Sequence, residues 1–121
     1  MKKIKVHRAK YFDLVDDLSA KIILAFCPEV YSDDQDLSVR VFVDDFGIPE
    51  DPATGSGNGC LAGYIVKHRY FDKKQITIQT GQGYEINRPS KIYLNAIEND
   101  NGIDVFVGGK VIKIAEGFLS K

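Results

Sequence analysis

One stretch concentrates the residues whose types and spacing could do chemistry: Glu50-Asp51-Pro52-Ala53-Thr54-Gly55-Ser56-Gly57-Asn58-Gly59-Cys60. Its first half reads as a turn, because a residue before proline, here Asp51, is pushed to extended geometry. Its second half continues through Leu61, Ala62, Tyr64, Ile65 and Val66 to His68 and reads as a helix that is apolar on nearly all sides, hence buried. Thr54 or Ser56 can cap its start with a hydroxyl. Gly55, Gly57 and Gly59 let the backbone pass close to whatever faces it. Unpaired amides at such a helix start bind anions, which is one reading of the loop. The other is a glycine-rich turn that only lets helix and sheet pack closely. The third glycine of a dinucleotide fingerprint is missing, and no Gly-Lys-Ser/Thr of a P-loop follows. Thr54 stands where a nucleophile elbow needs glycine.

Asp51 has two readings as well. It can bond the amides of its own turn, or it can face a ligand as a proton-handling carboxylate. Cys60 reads as a small core residue inside the helix. The two cysteines, Cys27 and Cys60, make no CxxC or zinc spacing. His7 and His68 are the only histidines. His68 lies twelve residues beyond Ser56, about 18 Å along a helix, so it cannot serve the same loop. Asp33, Asp34, Asp36, Asp44, Asp45, Glu50 and Asp51 crowd one region, but their spacing is not that of an EF-hand, and a solvated acidic face is expected.

The segment from Glu50 to Ser56, followed by Asn58-Gly59-Cys60-Leu61-Ala62, closely resembles the signature of the PhzF family of phenazine-biosynthesis-like isomerases. That family shares its fold with diaminopimelate epimerase. The likeness continues in Gln82-Gly83, Arg88-Pro89-Ser90, Val107-Gly108-Gly109 and Gly117, and spans residues 38 to 119. Family members have two similar halves, each a sheet around a central helix. The resemblance implies that residues 1–121 form a single domain like the C-terminal half. It implies that Asp51 is the catalytic-site aspartate, that Thr54, Gly55, Ser56, Gly57 and Asn58 contact substrate, and that a substrate carboxylate rests on amides around Gly55, Ser56 and Gly57. It implies proton transfer without a cofactor or metal. Thr54 falls where the epimerase has a cysteine, which disfavours a two-thiol mechanism. Gly81 and Asn87 depart from the family pattern, which often has an acid and a glycine there. The family's glutamate and histidine come from the other half, and no general base can be assigned in this sequence; Glu29 and Glu85 are only not excluded.

The elements that must position this loop follow from periodicity. A length of 121 residues suits one domain, and 44% apolar with 27% charged residues is the globular range. A net charge of −1 offers no electrostatic case for nucleic acid or an anionic membrane surface. Residues 1–10 are basic and read as a solvated edge strand, or less readily as a partner-binding arm. Short strands are expected at Tyr11 to Val15, Lys21 to Phe26 (buried), Leu37 to Val43, Gln75 to Thr80, Lys91 to Ile97, Ile103 to Val107 and Lys110 to Ala115. Asn101-Gly102 and Gly108-Gly109 are expected to turn the chain between the last three. Asp44-Asp45-Phe46-Gly47 leads into the central loop.

The fold class expected is α+β: a mostly antiparallel sheet rolled around one central helix, half of a diaminopimelate epimerase-like fold. Two functional readings follow. In one, the domain supplies a wall of an isomerase site and needs a second subunit or a separate N-terminal-half partner. In the other, it is a non-catalytic carboxylate-binding or assembly module. A homodimer is expected under both, because half of a two-domain protein exposes an apolar face. The opening Met1-Lys2-Lys3-Ile4-Lys5 lacks the apolar run of a signal peptide, so a cytoplasmic setting with free thiols is the expectation.

Overall fold

The computed structural model describes residues 1–44 and 47–119. Two α-helices, α1 (Arg8–Val15) and α2 (Gly55–Lys67), accompany six strands: β1 (Ile23–Cys27), β2 (Leu37–Val43), β3 (Ile48–Asp51), β4 (Gln75–Gln82), β5 (Ser90–Asn99) and β6 (Gly102–Gly109). All six belong to one sheet, ordered β1-β2-β4-β5-β6, with β3 also paired to β2. Only β2 and β4 run parallel; every other pair is antiparallel. The architecture is therefore α+β with a mostly antiparallel sheet, as expected. The connection through Asp45 and Phe46 lies outside the described residues.

Strand β2 is the spine, and all seven of its residues are buried. Its alternation explains this: Leu37, Val39, Val41 and Val43 join the core against α2, while Phe42 joins a second cluster under α1. On α2 the buried residues are Asn58, Leu61, Ala62, Ile65 and Val66, a single stripe at helical spacing. Each fully buried Ile, Leu or Val there contributes roughly 1.5–3 kcal/mol. Gly59 and Gly63 lie on an adjoining face, where a Cβ would come 3.3 Å from Val107 and 3.8 Å from Val105, so β6 approaches the helix closely. The helix ends in a hydrogen-bonded cap: Arg69 is left-handed at φ 55°, its amide bonds Val66 O, and the Tyr70 amide bonds Ile65 O.

Several expectations are corrected. Tyr11 to Val15 is helical, not a strand. Tyr11 and Val15, four apart, bury together against Phe42, and His7 caps the helix by accepting from the Lys10 amide. A five-residue apolar cluster suits either period, and only the surface it packs on decides. Residues 1–6 carry no strand. Strand β1 is half-buried throughout because it is a sheet edge. Strand β3 had no alternation to reveal it. Residues 110–119 form no strand, and their apolar side chains are exposed. Cys60 is exposed, not a core residue, because sheet covers only part of the circumference of α2. Tyr64, one turn on, is exposed with it. No helix among the described residues is long and apolar enough to cross a membrane.

Candidate active site

Strand β3 delivers Asp51 beside Val41 of β2. Residues 52–54 then turn the chain into α2, whose N-cap is Thr54. The Thr54 hydroxyl does not cap the helix; it donates to Asp51 Oδ2 at 2.5 Å. Among the described residues no side chain accepts from the Gly55, Ser56 or Gly57 amides, and the first turn holds no acid. Those three N–H groups belong to the first turn of a helix, which has no intrahelical acceptors and where the dipole favours negative charge. Gly55 and Ser56 are exposed and Gly57 is half-buried. A side-chain cap would have occupied part of this surface; spending the Thr54 hydroxyl on Asp51 leaves it clear.

Behind the loop sits a buried polar network. Gln82, at the end of β4, donates from Nε2 to the Asp51 carbonyl at 2.6 Å and to Thr54 Oγ1 at 2.9 Å. Its Oε1 accepts from the Asn58 amide at 2.8 Å and from the Thr54 backbone N–H at 3.3 Å. Asn58 also donates to Thr54 O at 3.0 Å and accepts from the Thr80 hydroxyl at 2.8 Å. Asn58, Thr80 and Gln82 are fully buried. A buried amide must be satisfied, and each of these finds its partners in the loop or in its neighbour. The network thus clamps the loop to the end of β4. Gly83 makes this possible: at φ +80° it lies against the Pro52 and Arg88 carbonyls, where a Cβ would come within 2.9 and 2.3 Å.

The structure brings together Asp51, Thr54, Gly55, Ser56 and Gly57 at one surface. It places Asn58 inside, with both ends of its amide bonded, so Asn58 holds the loop rather than facing solvent. Gln82 and Thr80 went unassigned in the sequence reading. Gln82-Gly83 was visible there as a motif, but nothing in spacing alone tied it to Asp51, some 30 residues earlier in the chain. His68 caps the opposite end of α2. Glu29 is exposed, and Glu85 accepts from the Tyr31 hydroxyl rather than approaching Asp51.

A second buried cluster flanks the site. Arg40 donates from Nε and Nη2 to the two Glu50 oxygens at 3.0 and 2.7 Å, and from Nη1 to the carbonyls of Ile4 and Met1 at 3.0 and 3.3 Å. Glu85 lies 4.0 Å from Arg40 Nε. Bidentate geometry suits a guanidinium and carboxylate withdrawn from water, and the hydrogen bonds to Glu50 raise the Arg40 pKa further. Burial, with the hydrogen bond to Glu85 next, pushes the Tyr31 phenol well up. The ring of Tyr31 stacks on Tyr84, with centroids 4.2 Å apart. This cluster fixes Glu50, the residue before Asp51, and so anchors the site from β2.

Comparison with known proteins points to one family. A family model described as phenazine biosynthesis-like protein matches residues 3–117. A trans-2,3-dihydro-3-hydroxyanthranilate isomerase of Pseudomonas aeruginosa is 39% identical over 79 residues, covering 64% of this chain and 28% of that protein. An uncharacterized isomerase of Clostridium acetobutylicum is 30% identical over 95 residues, covering 74% and 32%. The chain thus spans about a third of the length of the curated relatives it matches. A crystal structure of a Bacillus anthracis phenazine biosynthesis protein of the PhzF family superposes with a TM-score of 0.76 at 18% identity, over 89% of this chain and 38% of that one, a likeness of fold. With the family model spanning nearly the whole chain, this protein belongs to the phenazine biosynthesis-like, or PhzF, family.

Proposed function

We propose that this chain supplies one wall of an isomerase site for a small carboxylate-containing molecule, corresponding to the C-terminal half of its longer relatives. The observation that carries the reading is the helix start: three first-turn amides that no side chain among the described residues caps, because the Thr54 hydroxyl bonds Asp51 instead. A substrate carboxylate takes the Gly55, Ser56 and Gly57 amides, where the helix dipole favours it. Asp51, with one oxygen pinned by Thr54, turns its other oxygen to an amine, hydroxyl or C–H neighbour of that carboxylate. It orients the substrate and takes part in moving a proton from one carbon to another, which needs no cofactor. The second acid/base group comes from a second subunit or a separate N-terminal-half protein in the cytoplasm.

One observation favours the alternative of a binding module without catalysis: Glu85, a candidate for that second group, is engaged by Tyr31. Two measurements separate the readings. NMR titration with small amino and hydroxy acids should shift the Gly55, Ser56 and Gly57 amide resonances first. Incubation in deuterated water should then place deuterium beside the carboxylate of a bound compound, and Asp51→Asn should abolish this. Binding without exchange, with or without an added N-terminal-half protein, would leave the module reading standing. No amide shifts at millimolar ligand would sink both.

A further inference from the structure

The segment after β6 is the least explained part of the chain. Val111, Ile114 and Phe118 are 90%, 94% and 100% exposed. Among the described residues, its one side-chain hydrogen bond joins Lys113 to Glu116 within the segment itself. Yet residues 111–115 carry the β-branched composition of a strand. In an extended chain Ile112, Ile114 and Phe118 share one face. Exposing such a row to water is unfavourable unless something covers it.

Strands β1 and β6 are the two ends of the sheet, each with a free hydrogen-bonding edge. Beside β1 the face of α2 that carries Cys60 and Tyr64 is uncovered, and a groove of about 400 Å³ there is lined by Leu24 and Phe26 of β1 and by Gly57, Cys60, Leu61 and Tyr64 of α2. Its lining is mostly apolar, and Gly57 and Cys60 are small, so a backbone can come close. A strand of about ten residues reaches about 33 Å, longer than β1.

The segment cannot readily reach the groove of its own chain. Gly108 and Gly109, the residues suited to a reversal, are committed to the ladder opposite Tyr93 and Ile92. Neither has positive φ. Lys110, Val111 and Ile112 follow, and β-branched residues resist the positive φ that a tight hairpin needs. In the structure the segment leaves β6 with its side chains exposed and so does not pack on its own α2.

We propose that residues 110–119 are an exchanged strand: in a homodimer, each copy lays this segment into the groove between β1 and α2 of the other, with Ile112 and Ile114 against Cys60 and Tyr64. Exchange of identical elements about a two-fold axis covers both apolar rows and the free β1 edge of each copy at once. It deepens the second-subunit part of the proposed function and rests on that part for its biological meaning.

The test uses Cys60 as reporter in a Cys27→Ser background. Light scattering should give a dimer, and Cys60 should react with a maleimide at least tenfold more slowly than in Ile114→Asp, which should be a folded monomer by circular dichroism. A copy carrying Ile112→Cys with Cys60→Ser, mixed with a copy retaining Cys60, should form a covalent heterodimer with a short bismaleimide. An intrachain cross-link in a chain carrying both Cys60 and Ile112→Cys, at a monomer's mass, would overturn the exchange. So would a dimer that survives Ile114→Asp with Cys60 still reactive; that outcome would leave the two-subunit site intact. A parent chain that stays monomeric at high concentration would remove both the exchange and the self-sufficient site, while amide shifts with carboxylates would still report on the loop.

Discussion

At the scale of single residues, the site depends on one amide. Gln82 bonds the Asp51 carbonyl, the Thr54 hydroxyl, the Thr54 N–H and Asn58 from a position without solvent. Its removal strands several buried partners, and each unsatisfied buried group costs about 1–3 kcal/mol. Gln82→Ala should therefore lower stability by about 2–4 kcal/mol in urea denaturation, since a small cavity adds to the lost bonds. Asp51→Asn should behave differently. It keeps an oxygen to accept from Thr54, so stability should change by less than about 1 kcal/mol while deuterium exchange is lost. Equal damage to stability from both substitutions would place Asp51 in the scaffold rather than in the chemistry.

At the scale of elements, the turn that joins β3 to α2 meets the end of β4, which lies some 30 residues further along the chain. Gly83 is where they touch. Gly83→Ala would set a Cβ 2.3 Å from the Arg88 carbonyl oxygen at a φ of +80°, and both the clash and the strain are costly. We expect a loss of about 2 kcal/mol or more, read by thermal or urea unfolding, together with altered Asp51-loop resonances. Gly55→Ala is the control, since a Cβ there meets nothing within 4 Å. If the two alanines were equally mild, the close approach of β4 to the loop would not be what holds it. Much of this level was legible in advance: β2, β4, β5, β6 and α2 announced themselves by alternation or by a capped apolar run. Helix α1 did not, because Tyr11-Phe12-Asp13-Leu14-Val15 is too short and too apolar for its period to show. The seventh strand expected at Lys110 to Ala115 has the composition for pairing and no strand partner among the described residues.

At the scale of the whole molecule, the Arg40, Glu50, Tyr31 and Glu85 cluster ties the amino-terminal segment, β2, the chain before β2 and the turn at Tyr84–Ile86 into one body. It also makes stability depend on alkaline pH. Burial and Glu85 raise the Tyr31 pKa in the folded state, whereas an unfolded tyrosine titrates near pH 10. The unfolded chain thus loses its proton first. The contribution is fully present below about pH 10 and falls as pH rises beyond it. Urea midpoints measured from pH 8 to 11 should decline more steeply for the parent protein than for Tyr31→Phe; parallel curves would show that Tyr31 is solvated. The paired site and the exchanged strand belong to this scale too, since both need a second chain.

What the sequence determined by itself was local. Pro52 holds Asp51 out of helical geometry and so marks the turn, the apolar run from Leu61 to Val66 marks a helix, and the alternation of Leu37 to Val43 marks a strand. These depend on backbone sterics and side-chain period, which neighbours along the chain specify. Only the tertiary structure decided that the Thr54 hydroxyl turns to Asp51 instead of capping its helix, that Asn58 faces inward, and that Gln82 is the residue that holds them. Those outcomes depend on which buried polar groups meet across the fold. It decided likewise that Cys60 is exposed, because how far a sheet wraps a helix depends on how many strands are there to cover it.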